Sequence, residues 1–149
     1  MWSRSDCMAY RTLSVAVLAS IALQSCQTAP PNVAQALNAC GHGASSIEVR
    51  DAGVVVRVLG NRNSQSGVHE GFIVRVPTRS NDAHTRRNMQ TLRVEDNVDI
   101  TGPIPLGEGS AIQLQGQLEC DDYVIHWTHH DPRGRHMPGY ISVDGKTYQ

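Results

Sequence analysis

Beyond about Gly43 the apolar residues recur at every second position, a period that suits strands and excludes a helical bundle. Ile47 and Val49, then Val54 to Leu59, read as one long strand bent at Gly53. Gly60 to Gly67 reads as a polar loop. Gly71 to Val76 is a second strand, stopped by Pro77, and Thr91 to Val94 a third. Ile100 to Gly109, with Pro103 and Pro105, reads as a turn or irregular crossing. Ala111 to Cys120 alternates apolar and polar cleanly, Asp121-Asp122 turns the chain, and Tyr123 to Trp127 returns. Asp144-Gly145 between two β-rich segments is a strong hairpin signal. Only Pro31 to about Gly41 shows helical spacing, through Val33, Ala34, Leu37 and Cys40, with Gly41 or Gly43 to end it.

Six or seven short strands with hairpin-sized connections must hide their edges by closing on themselves. The expectation is a mostly β fold: a small OB-like antiparallel β-barrel with one N-terminal helix, a small β-sandwich being the alternative. Gly116, mid-strand, suits a barrel bend.

Residues 1–26 read as a lipoprotein-type signal peptide. Arg11 precedes an eleven-residue, largely apolar stretch, Leu13 to Leu23. That is short of the ~20 apolar residues a membrane span needs and fits a signal-peptide core. Leu23-Gln24-Ser25-Cys26 resembles a bacterial lipobox, which makes Cys26 the expected lipidation site and a lipid anchor the expected membrane contact. Residues 27–34 form a tether kept extended by Pro30 and Pro31. Gln27 is not the Asp that resembles an inner-membrane retention signal, so the expected location is the periplasmic side of the outer membrane. Residues 35–149 then make a single barrel domain. Processing at Cys26 leaves Cys40 and Cys120, an even pair in an oxidising compartment, and a Cys40–Cys120 disulfide is expected.

Loss of Arg4, Arg11 and Asp6 leaves 11 basic and 13 acidic residues. Bulk charge therefore attracts no nucleic acid, and polyanion binding would need a local patch.

Four of the seven histidines lie within eleven residues: His126, His129, His130 and His136, with Asp131, Arg133 and Arg135 among them. On an extended strand His126 and His130 would be about 13 Å apart, at ~3.3 Å per residue. Only a fold-back at Asp131-Pro132 and Gly134 can gather these groups, with His69 as a cross-strand partner. Alternation places Tyr123, Ile125 and Trp127 on the core face. Three readings follow. His69, His129, His130, Asp131 and His136 could ligate Zn or another divalent transition metal. His126 or His129 could serve as general acid or base with Arg135 or Arg133 stabilising an anion, as in phosphodiester hydrolysis, with or without a metal. Or the rings are structural, in an envelope module that binds oligosaccharide or peptide. Glu95, Asp96 and Asp99 read mainly as an acidic turn.

His126-Trp127-Thr128-His129-His130-Asp131-Pro132, then Gly134-Arg135-His136, Gly139-Tyr140-Ile141 and Gly145 with Tyr148-Gln149, resembles the signature of a bacterial family known as domain of unknown function 3465. The likeness extends thinly back through His69, Phe72 to Arg75, and Asn97 to Asp99. Tyr140 stands where such sequences often carry Trp, and Asp96 where many carry His. The resemblance implies a recurring exported or membrane-associated unit and no particular activity. The leading expectation is an exported lipoprotein with a His/Asp/Arg pocket for a small ligand or divalent metal.

Overall fold

The computed structural model describes residues 29–78 and 88–149. Helix α1 (Val33–Gly41) is followed by strands β1 (Ser46–Ser64), β2 (Gly67–Thr78) and β3 (Asn88–Asn97). A single helical turn α2 (Val98–Thr101) precedes β4 (Ala111–Glu119), β5 (Val124–His126), β6 (Tyr140–Val143) and β7 (Lys146–Tyr148). The sheet runs β1-β2-β3-β5-β4-β6-β7, and β1 also pairs with β4. Five strands thus close a ring, β1-β2-β3-β5-β4, and the β6–β7 hairpin extends it from β4. A five-stranded ring with a short helix after β3 is the OB-like barrel that the alternation implied.

One expectation needs correcting: β3 and β5 pair in parallel, through Arg93 with Val124 and Val94 with Ile125. The other pairings are antiparallel. Closing an odd-numbered ring forces at least one parallel seam, because directions cannot alternate around five strands.

Closure depends on β1, which pairs with β4 from Ser46 to Val54 and with β2 from Val54 to Ser64. The handover falls at Gly53, where an added Cβ would lie 2.7 Å from both the Arg75 carbonyl oxygen and Val74 Cγ2. Absence of that carbon lets β2 cross closely, so the bend expected at Gly53 has a steric cause. The stretch 60–67, expected as a loop, is ribbon instead. Asn61 pairs with Glu70, Arg62 with His69 and Ser64 with Gly67, leaving two residues in the turn. Backbone pairing overrides polarity where both faces of a ribbon are wet.

Phe72, Val74, Val76, Leu92, Val94, Ile112, Leu114, Leu118 and Ile125 fill the interior. Helix α1 covers one part of this core with Val33 and Ala36, both fully buried. It starts at Val33, two residues inside the expected tether, under a reciprocal Asn32–Gln35 capping box. The Cys40–Cys120 disulfide then joins its last turn to the chain just after β4. At the tail, Asp144 and Gly145 both take positive φ, 50° and 77°, as the expected two-residue hairpin requires. No helix among the described residues is long and apolar enough to cross a membrane. Cys26 and the signal-peptide reading lie outside the described residues.

Candidate functional site

Strand β5 ends at His126 because Trp127 takes a φ of 57° and breaks the alternation. The core-face expectation for Tyr123 and Trp127 is therefore corrected. Tyr123 also has positive φ, and both rings are exposed, while Ile125 alone of the three is buried. After Trp127 the chain doubles back. The amide of Gly139 donates to the His129 carbonyl at 2.8 Å, and Gln115 Nε2 donates to the Pro138 carbonyl at 2.7 Å. A Cβ at Gly139 would collide with the carbonyl oxygens of Trp127 and Gln115 and with the Thr128 backbone. Only glycine lets the two limbs of this loop approach so closely.

Asp131 ties the loop internally. Its carboxylate accepts from the amides of Arg133 and His136, both at 2.8 Å, and from that of Arg135. Covering a carboxylate raises its pKa, but the amides of Arg133, His136 and Arg135 and the nearby His136 ring outweigh this and hold Asp131 at about 2. Asp131 therefore spends its acceptors on the loop it closes.

Beside the loop lies a cavity of about 200 Å³. His69 of β2, Glu95 and Asn97 at the end of β3, and His126, Trp127 and His129 line it, with Ser64 and Ser66 at the β1–β2 turn. Two of its imidazoles are held alike. His69 Nδ1 lies 3.2 Å from the Gly67 carbonyl, and His129 Nδ1 lies 2.8 Å from the His130 carbonyl. A carbonyl oxygen can only accept, so each Nδ1 donates to it, His69 Nδ1 lying also 3.1 Å from the Ser64 hydroxyl, and Nε2 of each ring is left for a ligand. Such carbonyl support of the far ring nitrogen is typical of metal-ligating histidine. His126 Nδ1 sits 4.0 Å from Glu95 Oε2. Glu95 in turn pairs with Arg62 at 2.9 Å and with Arg93, which fixes its carboxylate beside the cavity.

The remaining sequence candidates lie elsewhere. His136 packs against Trp127 and His129, with ring centroids 4.6 and 5.2 Å away. Its side chain is 6% exposed, its Nδ1 donates to the Met137 carbonyl, and its buried Nε2 has no hydrogen-bond partner. That atom is 3.9 Å from Asp131 Oδ2. His130, Arg133 and Arg135 are exposed and do not line the cavity. The fold-back thus joins His129 with His69 and His126 on one side and with His136 on the other, and leaves His130 out. Among the described residues no three His, Cys, Asp or Glu side chains already converge on one metal position.

Asp96 was undervalued by sequence reasoning. It is fully buried and accepts from the hydroxyls of Thr128 at 2.8 Å and Thr101 at 2.5 Å. Burial pushes its pKa up, opposed by those two hydroxyls and by the His129 and His69 rings. Glu70 is its register partner on β2 and is likewise pushed up, first by burial, with Asp96 adding to the effect. A usable signal existed: alternation from Leu92 and Val94 points Asp96 inward. Asn97 and Asp99 do structural work instead, holding Ser66 and Val68 of the β1–β2 turn through hydrogen bonds of 3.0 and 2.9 Å.

Residues 15–149 match the model of a family described as protein of unknown function, DUF3465. The chain belongs to the DUF3465 family. The match takes in the barrel, the His126–Gly139 loop and every residue of the cavity. No curated protein and no solved structure matches the chain. What a DUF3465 domain does must accordingly be argued from the cavity.

Proposed function

We propose that this DUF3465 protein is an exported lipoprotein, anchored through Cys26 on the periplasmic side of the outer membrane, whose barrel carries a binding cavity for a divalent transition metal. The export half rests on the lipobox-like Leu23 to Cys26 and on the Cys40–Cys120 disulfide, which suits an oxidising compartment.

One observation supports the binding half above others: His69 and His129 border the same cavity, each with Nδ1 turned to a backbone carbonyl, that of His69 shared with the Ser64 hydroxyl. Two Nε2 lone pairs are thereby kept for a ligand, with His126 as a third imidazole on the same wall. Imidazole nitrogen suits Zn and neighbouring ions, and three protein ligands plus water is a common open site. Arrival of the ion would draw His126 toward the other two rings. Glu95, held by Arg62 and Arg93, is placed to take the Nδ1 proton of His126 as a hydrogen bond once the ring turns.

Zinc titration of the purified protein tests this. One equivalent per chain is expected, lost in His69→Ala and in His129→Ala and kept in His130→Ala. Equal binding by all four proteins would overturn the proposal.

A further inference from the structure

A barrel of near-neutral charge carries a concentrated cationic face. Ladder register sets Arg57, Ile73 and Arg93 side by side across β1, β2 and β3. Arg75 lies on the same side two residues along β2, and Arg62 pairs with His69 toward the other end. Phe72 and Val74 point inward, so these alternate positions point outward. Adjacent strands are ~4.8 Å apart, which puts the Arg57 and Arg93 backbones about 10 Å apart, and the row from His69 to Arg75 spans about 20 Å.

From Val54 to Ser64 on β1 and across β2 and β3, Glu95 is the one acid at an outward ladder position, and Arg62 and Arg93 already hold it. Arg57 and Arg75 are exposed and have no ion-pair partner among the described residues. Four arginines against one carboxylate leave a local excess of positive charge on a chain whose formal net charge is −1. This is the local patch that bulk composition could not reveal. Guanidinium forks match carboxylate and phosphate oxygens two at a time.

The face also says which polyanion. Apart from His69 at one end, no outward position on β1, β2 or β3 among the described residues is aromatic, so nucleobases would find no stacking platform between Arg57, Ile73, Arg75 and Arg93. Leu59, exposed, and Ile73, half-buried, give instead an aliphatic strip between the charges. An acidic sugar chain needs only spaced cations and a smooth floor. We propose that the β1–β2–β3 face binds an acidic polysaccharide lying along β2, with one end directed to the cavity bordered by His69 and Trp127. The choice of a glycan rests on the exported reading above; the charge argument does not.

Binding of a fluorescent alginate octasaccharide to the full chain, measured at low and moderate salt, tests the proposal. Affinity should fall steeply with salt, and a neutral dextran of equal length should not bind. Arg57→Gln with Arg75→Gln should lower alginate affinity at least tenfold, and Arg57→Glu with Arg75→Glu further. Both variants should keep the parent's melting temperature and its zinc stoichiometry, which separates this proposal from the metal reading. Unchanged alginate affinity in both variants would overturn it. So would absence of alginate binding at low salt, or tighter binding of an oligodeoxythymidylate, which would point to single-stranded nucleic acid.

Discussion

The hydroxyl of Thr128 donates to Oδ1 of Asp96 across 2.8 Å, and both residues have no solvent exposure. This bond fastens the loop after β5 to the inner end of β3, directly beneath the cavity histidines. Removing the acceptor should be costly. Asp96→Ala strands the buried Thr128 hydroxyl, which costs roughly 1–3 kcal/mol, while Thr101 keeps the carbonyls of Asn97 and Gly102. Asp96→Asn keeps an acceptor and should be tolerated. Chemical denaturation of both variants checks the contrast.

The same carboxylate shapes the response to pH. Asp96, Glu70 and Glu48 all have pKa values raised in the fold, burial being the first cause of each. A carboxyl raised on folding stabilises below its unfolded pKa, and that contribution is lost as pH climbs through the folded value. Stability should thus decline on going from acid toward neutral pH through this window. Asp96→Asn should flatten the decline, and denaturation series in buffers from pH 4 to 8 would show it. An identical slope in the variant would remove Asp96 from the account.

Asp131 behaves oppositely. Its pKa is lowered to about 2, so its contribution is present above the ordinary carboxylate range and is lost as pH falls through about 2. Trp127 reports on the loop, and is the sole tryptophan among the described residues. Its fluorescence should change below about pH 3 as the loop opens. In Asp131→Asn, whose carboxamide gives the three amides only one acceptor oxygen, the loop should become protease-sensitive at neutral pH.

Much of the fold was legible because strand alternation and closure are local properties of the chain. The long β1, the Gly53 bend, the Asp144-Gly145 hairpin and the Cys40–Cys120 bridge all follow from residue type and spacing. The parallel β3–β5 seam did not, since it arises from ring closure among segments far apart in sequence. At the site, the need for a fold-back was readable from Asp131-Pro132, but its direction was not. Positive φ at Trp127 turned the ring outward and sent Thr128 inward, reversing the expected faces. Ladder register then brought in His69, and it set out the arginine face that net charge had concealed.

Gly139 should be the most sensitive small residue in the loop. Ala at this position meets backbone atoms on three sides, with no flexible side chain to give way. A loss of roughly 2–4 kcal/mol is expected, together with weakened zinc binding. A Gly41→Ala control, with nothing within 4 Å of an added Cβ, should match the parent.

The disulfide closes a loop of 80 residues. Chain-entropy reasoning puts its contribution at about 4–5 kcal/mol. Reduction, or Cys40→Ser with Cys120→Ser, should lower the unfolding free energy by an amount of that order, measured by urea titration with and without reductant.

The most direct measurement is long-range nitrogen–proton NMR of the imidazoles during zinc addition. His69 and His129 should show the Nδ1–H form without metal, and their Nε2 resonances should move together, complete at one equivalent. Nε2–H tautomers in these two rings, or Nε2 signals unmoved by saturating zinc, would contradict the metal-binding cavity.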